Sequence, residues 1–273
     1  MYFRKLEYTV VWATTVAALV LGSCGRHTGG FTEDELALIH EADSIMKVLT
    51  IDSVQDSLVL RTPCTDFPAE ALLSTDYERL CSLMVATVTH PSQDGVGIAG
   101  PQVGLSRRVV AVQRFDKEPV SWGGRTDYPF EVYPNIRIIW KSDSLAVGGE
   151  GCLSVPDRRA DVLRSTEIII EYADITTLKA FTDWDYASVS DRDTSSSDSL
   201  SVLLSGSSSD SLSGTSSDSD KPGITVSENH IKSRAVKHPG DIPMIRDTVR
   251  GFTAVIFQHE TDHLDGVLYI DRI

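Results

Sequence analysis

Basic residues are scarce in this sequence of 273 residues. Lys and Arg together number 25 against 39 Asp and Glu, which leaves a formal net charge of −14. Proteins that bind a phosphate backbone need positive charge on the contact surface, so we expect no nucleic-acid partner. Hydrophobic residues nevertheless make up 41% of the chain, which is enough for a folded core and excludes a fully disordered or fibrous protein.

The chain also lacks an apolar run long enough for a permanent membrane span. The apolar stretch from Tyr8 to Leu21 follows Arg4 and Lys5 and is shorter than the roughly 20 residues that a bilayer requires. Its length and basic flank are typical of an export signal. The ending Leu21–Cys24 (LGSC) resembles a bacterial lipobox, which predicts cleavage before Cys24 and lipid attachment to that thiol. An ordinary signal peptide or an uncleaved anchor is the alternative.

We therefore expect an extracytoplasmic protein that is lipid-anchored to a bacterial cell-envelope membrane. The predicted organisation is a lipoprotein signal peptide at 1–23, an N-terminal tether and helix at 24–57, and a catalytic domain at 58–273. A Ser/Asp-rich insertion at about 188–220 interrupts that domain. Of its 33 residues 16 are Ser and six are Asp. A segment of this composition has too little apolar surface to fold, so a disordered loop is expected.

Cysteine is rare, with four in the chain. Lipidation of Cys24 would leave Cys64, Cys81 and Cys152, an odd number. Export permits a disulfide between two of them, and Cys64 with Cys81 is the pair to consider. Packing as small apolar side chains is the default for both. Cys152 is then the remaining thiol.

The periodicity of the remaining sequence predicts helices and antiparallel strands. Thr32 with Glu35 forms a capping-box pattern that opens a helix through about Leu49, and a second helix covers 76–88. Strands are expected at 108–115, 132–140 and 166–172. Loops rather than crossover helices separate these strands, which favours an antiparallel α+β fold.

A third helix, expected over Thr253–Leu264, contains the pattern HExxH. His259 and His263 lie one turn apart on the same helical face, so both imidazoles can reach one cation, and Glu260 lies beside that face. Two ordinary histidines on a partly buried helix would be the simpler explanation if nothing else in the chain supported a metal site.

A catalytic metal needs a third protein ligand and an open position for water. The ten residues after His263 contain neither His nor Cys, so a downstream ligand is restricted to Asp265 or Asp271. The strongest upstream candidate is Cys152 within Glu150–Ser154 (EGCLS). A buried, inert thiol is the alternative interpretation of Cys152.

A Gly-rich segment, 95–104, lacks the Lys-Ser/Thr ending of a phosphate-binding loop. As a tight loop it can instead present the side-chain amide of Gln102, which can donate hydrogen bonds to a developing oxyanion. A solvent-facing glutamine is the simpler alternative.

Together, Gly97–Gln102 (GIAGPQ), Glu150–Ser154 and Gln258–His263 (QHETDH) resemble, in this order, the three signature motifs of the peptide deformylases. The resemblance runs from about Leu60 to Ile273 and omits the signal, the first helix and the Ser/Asp-rich insertion. It implies an α+β fold in which antiparallel strands pack around a central HExxH helix. It also implies a hydrolase that removes the formyl group from the N-terminal formyl-methionine of peptides.

The resemblance also assigns roles to residues. Cys152, His259 and His263 would bind one divalent metal ion, Fe²⁺ by analogy with the family, with Zn²⁺, Ni²⁺ or Co²⁺ as alternatives. Glu260 would act as general base and then acid, while Gln102 and the backbone N–H of Leu153 would form the oxyanion hole. The substrate, an N-formylated peptide, would be bound by Val96, Gly97, Phe252, Val255 and Ile256.

Three departures from the family pattern qualify the match. Gly100 stands where Ala is usual, Tyr133 replaces an Asn before Pro134, and the acidic insertion precedes the metal helix. The first two could loosen the substrate cleft. The alternatives to a deformylase are a related extracytoplasmic metallo-amidase or peptidase, and a non-catalytic binding lipoprotein that retains the fold. The sequence gives no indication of an oligomer.

Overall fold

The computed structural model describes residues 29–122, 125–190, 231–234 and 241–273. The predicted signal at 1–23, the lipidation site Cys24 and residues 191–220 of the predicted insertion lie outside the described residues. Within the part that is described, no helix has both the length and the apolarity that crossing a bilayer requires.

The described chain is built from helices and antiparallel strands, which confirms the predicted α+β class. The α-helices are α1 Glu33–Glu41, α2 Val54–Leu60, α3 Ala69–Leu72, α4 Thr75–Val88, α5 Ile175–Ser190 and α6 Gly251–Leu264. The strands are β1 Gly97–Ala99, β2 Val109–Gln113, β3 Val120–Trp122, β4 Arg125–Asp127, β5 Phe130–Pro134, β6 Arg137–Lys141, β7 Leu145–Cys152, β8 Val155–Ser165, β9 Glu167–Ala173, β10 Ile231–Arg234 and β11 Met244–Arg250. Short 3-10 helices cover Gly100–Val103 and Tyr269–Asp271.

Two larger sheets and two hairpins organise these strands. One sheet has the order β1-β2-β5 and the other β10-β11-β9-β6, while β3 pairs with β4 and β7 with β8. The HExxH motif lies on α6, the last α-helix. α6 packs through Ile256 and Phe257 against Val110 and Val112 of one sheet and Ile168 and Ile170 of the other. That α6 forms the centre of the whole fold stays a prediction.

The first helix was expected to continue to about Leu49, and this is wrong. The Thr32–Glu35 capping box is present, but α1 ends at Glu41 and Ala42 is extended. The backbone N–H of Met46 donates to Thr87 Oγ1 at 2.8 Å. The N–H of Leu49 donates to the carbonyl of Gln102, also at 2.8 Å. These tertiary hydrogen bonds replace the helical ones, so the segment after α1 is irregular and is held by α4 and by the Gly-rich segment.

The strand expected over 132–140 is two strands in different sheets. Pro134 ends β5, since it has no N–H to donate to a ladder. Asn135 follows with a φ of 53°. Its side chain accepts from the Phe67 N–H at 2.7 Å and donates to the Phe67 carbonyl at 3.0 Å, which compensates that backbone conformation. The chain thereby crosses from β5 to β6.

The other predicted elements are confirmed within one or two residues at most ends: α4, α6, β2 and β9. The sequence did not predict α5 or the β7–β8 hairpin. α5 reaches Ser190 and so includes the first residues of the predicted insertion. Residues 31–49, assigned from the sequence to a tether and helix, share one hydrophobic cluster with α4 through Phe31, Ile39 and Met46.

Cys64, Cys81 and Cys152 are free thiols. Cys64 and Cys81 pack at the edges of two different hydrophobic clusters, as the default expectation had it. Burial raises the pKa of Cys64 to about 12 and that of Cys81 to about 11, so both remain protonated and unreactive at neutral pH.

A largely buried ion pair fastens α1 to the segment before β2. Arg107 Nη2 donates to Glu35 Oε2 at 3.0 Å, and Glu35 also accepts from the Thr32 N–H at 2.8 Å. Burial alone would raise the pKa of Glu35, but the bonds from Arg107 and Thr32 outweigh it and hold that pKa below its usual value. The charged form of Glu35 therefore stabilises the fold.

Replacing Glu35 by Gln is expected to lower the free energy of unfolding by about 1–3 kcal/mol at neutral pH. Because the folded pKa is depressed, this contribution is present above the unfolded pKa of about 4.3 and is lost as the pH falls through the folded value. Urea unfolding of both proteins at neutral and strongly acidic pH measures the difference. The exposed pair of Glu78 with Lys179 supplies the control, and Glu78→Gln should change stability by less than about 1 kcal/mol. A deficit of equal size at both pH values would contradict the ionic explanation.

Candidate metal centre and active site

Cys152, His259 and His263 converge. Their ligand atoms all lie within 4.8 Å of one another, and no other group of three or more His, Cys, Asp or Glu in the described ranges is arranged in this way. Cys152 Sγ lies 3.2 Å from His263 Nε2. The end of β7 places the thiol, and one turn of α6 separates the two imidazoles. The predicted ligands are therefore together, although they come from segments more than 100 residues apart in the chain.

The two downstream carboxylates considered as ligands have other partners. Asp265 Oδ1 accepts from Arg108 at 2.7 Å. Asp271 is bound by Arg61, with Arg61 Nη2 donating to Asp271 Oδ1 at 3.1 Å. Cys152 is consequently the third member of the donor set.

A buried chain of charges orients His259. Its Nδ1 lies 2.8 Å from Glu150 Oε2, which leaves Nε2 for a cation. Arg164 holds Glu150 through two bonds of 2.7 and 2.9 Å and also donates to Asp262 Oδ2 at 2.6 Å. Arg272 completes the chain by donating to both oxygens of Asp262. Glu150, His259 and Asp262 belong to the motifs noted from the sequence, whereas Arg164 and Arg272 lie outside them.

Burial and these partners set the proton affinities around the donor set. Burial alone would raise the pKa of Glu150, but Arg164 and His259 lower it to about 2. Burial would likewise lower the pKa of His259, yet hydrogen bonds with Cys152 and Glu150 raise it to about 10. Burial lowers the pKa of His263 well below its usual value, and the positive charge of His259 lowers it further. His263 is therefore neutral, the form that binds metal.

Glu260 is buried beside the ligands. Burial raises its pKa to about 7. Its Oε2 has no hydrogen-bond partner among the described residues. A Cβ atom added to Gly97 would lie 2.5 Å from Glu260 Oε1, so any larger residue at Gly97 would displace this carboxylate. The thiolate–imidazole donor set fits a borderline-soft divalent ion. The unpartnered Glu260 oxygen fits a hydrogen bond to a water molecule beside that ion.

Gln102 is held with its amide nitrogen towards Cys152. Its Oε1 accepts from the Ala99 N–H at 2.8 Å. Its Nε2 lies 3.5 Å from Cys152 Sγ and 3.3 Å from Ser154 Oγ. Leu153 lies in the turn between β7 and β8, directly after the thiol ligand. Both predicted oxyanion-hole members are thus beside the donor set.

A cavity of about 820 Å³ opens over these groups, which is large enough for a short peptide. Ile256 is buried in its wall, whereas the Phe252 ring is 56% exposed at its rim. The cavity wall contains every predicted substrate-binding and catalytic residue and two of the three ligands: Val96, Gly97, Gln102, Cys152, Leu153, Phe252, Val255, Ile256, His259 and Glu260.

Gly100 and Tyr133, the departures expected to loosen the cleft, do not line this cavity. A Cβ on Gly100 would lie 2.6 Å from the Arg107 carbonyl oxygen, so glycine fits a close backbone approach there. Tyr133 is buried against Phe257, with ring centroids 4.9 Å apart. Both substitutions affect packing behind the site.

Comparisons with known proteins agree with this geometry. The family model described as polypeptide deformylase matches residues 45–185 and 229–273, and the gap contains the Ser/Asp-rich insertion. A peptide deformylase of Leptospira biflexa is 24% identical over 230 residues, covering 84% of this chain and 88% of the relative. One from Rickettsia canadensis is 37% identical over 95 residues, covering 33% of this chain and 50% of the relative.

Solved structures share the fold. The class I type b peptide deformylase of Acinetobacter baumannii with Met-Ala-Ser bound is 23% identical, with a TM-score of 0.51, and covers 84% of this chain and 98% of that one. The Thermotoga maritima peptide deformylase is 20% identical, with a TM-score of 0.51, over 85% of this chain and 99% of that one. The family match spans well over half of the sequence and includes the Cys/His/His donor set. The chain therefore belongs to the peptide deformylase family and is a metal-dependent hydrolase that cleaves an amide C–N bond.

Proposed function

We propose that this enzyme removes the formyl group from the N-terminal formyl-methionine of peptides outside the cytoplasm, while a lipid on Cys24 anchors it to the bacterial cell envelope. One observation carries the catalytic part of the proposal. Glu260 and Gln102 face the same peptide-sized cavity as the Cys152, His259 and His263 donor set. A protein that only binds peptides needs neither group, so the arrangement favours turnover over a non-catalytic role.

Cys152, His259 and His263 would hold a divalent ion, which when bound would supply Lewis acidity and a lowered pKa for a nearby water molecule. Glu260 takes the proton of the attacking water and then delivers it to the departing amine nitrogen. The Nε2 of Gln102 and the N–H of Leu153 donate to the oxygen of the formyl group as it gains negative charge. The HExxH helix, α6, positions Glu260 between His259 and His263 in the chain, so the base lies beside two of the ligands.

The apolar part of the cavity supports methionine as the first residue. Val96 approaches from the segment before β1, while Val255 and Ile256 lie one turn before His259 on α6. Unbranched, flexible side chains such as methionine fill irregular apolar space of this kind. Gly97 lies on β1 where it can offer backbone groups to the bound peptide.

We propose Fe²⁺ as the native metal, on the resemblance to the family. One thiolate and two imidazoles also suit Zn²⁺, Ni²⁺ and Co²⁺. Elemental analysis of protein purified without oxygen identifies the ion, and a full complement of zinc with no iron would refute the Fe²⁺ assignment.

Formate release from formyl-Met-Ala-Ser, measured beside the unformylated and acetylated peptides, tests the activity. We expect formate from the formylated peptide alone, its loss on treatment with a chelator, and recovery when a divalent metal is restored. Release of acetate at a comparable rate would favour a broader metallo-amidase, and cleavage of the unformylated peptide would favour a peptidase. Metal binding without turnover of any of the three peptides would identify a binding lipoprotein.

The anchoring has a separate test. The basic start, the apolar stretch 8–21 and the LGSC ending support it. Labelling with a palmitate analogue should modify the wild-type protein and leave Cys24→Ser unlabelled, while Cys81→Ser, the matched control, keeps the label. Labelling of Cys24→Ser, or recovery of the wild-type protein in the cytoplasm, would refute it.

A further inference from the structure

The beginning of β8 carries two arginines in the cavity wall, Arg158 and Arg159. Arg159 pairs with Gly151 and Val155 with Cys152, so residues 156–158 have no partner on β7 and form a bulge. Asp157 has a φ of 59°, and Tyr269 Oη donates to the Arg158 carbonyl at 2.9 Å. Bulges of this kind redirect side chains next to active sites. The ordered backbone here holds both arginines at the cavity.

Neither guanidinium forms an ion pair or hydrogen bond with another residue of the described ranges, and both residues are exposed. Arg164, on the same strand, is bound to Glu150 and Asp262. The other acidic side chains of the cavity wall are Asp94, Asp157 and Glu260, and none of them pairs with Arg158 or Arg159. The guanidinium N–H groups of Arg158 and Arg159 are therefore available to a ligand. They place positive charge at the cavity of a protein whose net charge is −14.

Arg159 lies close to the thiol ligand Cys152. It lies opposite Gly151, the residue before the thiol ligand, and its Cγ is 3.5 Å from where a Cβ on Gly151 would lie. A peptide extended from the metal advances about 3.3–3.6 Å per residue. A carboxylate within about three residues of the formyl group is thus within reach of a long arginine side chain.

Building on the deformylase function proposed above, we propose that Arg158 and Arg159 bind the C-terminal carboxylate of a short formylated peptide. Guanidinium groups form strong, paired hydrogen bonds with carboxylates. The substrates favoured by this contact are short released peptides with a free C-terminus. A nascent or full-length chain carries no carboxylate at that distance unless an acidic side chain supplies one.

The experiment compares three substrates: formyl-Met-Ala-Ser, its C-terminal amide, and formyl-Met-Ala-Asp amide. For the wild-type enzyme we expect kcat/KM for the free acid to exceed that for the amide by about tenfold, which corresponds to about 1.4 kcal/mol. The Asp-containing amide reports whether a side-chain carboxylate substitutes for the C-terminus. Higher ionic strength should reduce the preference because the contact is exposed.

The double variant Arg158→Gln/Arg159→Gln should lose the preference, so that kcat/KM for the free acid falls to the value for the amide. Arg159→Lys should keep part of it, since the charge remains. Arg137→Gln, on β6 and paired with Asp66, removes an equal charge away from the cavity and should keep the full preference. A wild-type ratio within about twofold of unity, or a ratio unchanged in the double variant, would overturn the proposal.

Calorimetric binding of Met-Ala-Ser and its amide separates this proposal from the proposed function. Tighter binding of the acid to the wild-type enzyme, lost in the double variant, supports the arginine site even if formate release fails. Equal binding of acid and amide, with normal formate release, refutes the arginine site and leaves the deformylase function intact.

Discussion

Replacing Glu260 by Gln should lower kcat for formate release by about 10³–10⁴-fold, because the water then has no base and the amine no acid. Gln has nearly the same volume as Glu, so the buried position beside Gly97 stays filled. Steady-state kinetics on formyl-Met-Ala-Ser, together with the metal content of the purified protein, measure the effect. The metal content should equal that of the wild type, since the donor set is Cys152, His259 and His263.

Glu78→Gln is the matched control for this substitution, because Glu78 lies on α4 in an exposed pair with Lys179. It should leave kcat unchanged. If Glu260→Gln kept activity within about tenfold of the wild type, a role as the main proton carrier would be untenable. If it lost both metal and activity, Glu260 would belong to the metal-binding group instead.

Replacing Gln102 by Ala should lower kcat by about 10²–10³-fold with little change in KM, because the amide donates mainly in the transition state. Alanine also removes the Oε1 that accepts from the buried Ala99 N–H, so some loss of stability is expected as well. Gln102→Met fills the space without hydrogen bonding and shows what packing contributes. Both variants should bind metal normally.

Equal and undiminished kcat in both Gln102 variants would exclude an oxyanion role. A large rise in KM with unchanged kcat would mean that Gln102 binds the substrate in its ground state. Gln113→Ala, which changes a buried glutamine on β2 bonded to Asp127, controls for the general cost of removing a buried amide and should leave kcat unchanged.

The sequence predicted that Cys152, His259 and His263 come together because the chemistry of a metal site restricts the spacing of its donors. Two histidines four residues apart share one face of any helix, and a thiol in a Gly-flanked motif is a recognisable partner for them. The strongly apolar sequence of α6 and the three adjacent isoleucines of β9 are equally local signals. Patterns of this kind can be recognised in the sequence without knowledge of the rest of the fold.

Other parts of the site depend on pairing between distant residues. The β7 sequence is rich in glycine and has no clear apolar alternation, so the hairpin with β8 was not predicted. Arg164 therefore could not be placed against Glu150, nor Arg159 against Gly151. The length of α1 was overestimated for a related reason, since tertiary bonds to Thr87 and Gln102 decide where that helix ends.

The irregular segment after α1 determines where a shortened form of the enzyme can begin. The backbone N–H of Leu49 donates to the carbonyl of Gln102 at 2.8 Å, and that of Ile51 donates to the carbonyl of Ser154 at 3.0 Å. The segment is therefore hydrogen-bonded to both sides of the catalytic centre. A truncation that begins at residue 58 would remove both of these hydrogen bonds. Expression should instead start between Cys24 and Phe31, which omits the proposed lipidation site and keeps the hydrogen bond to the Gln102 carbonyl.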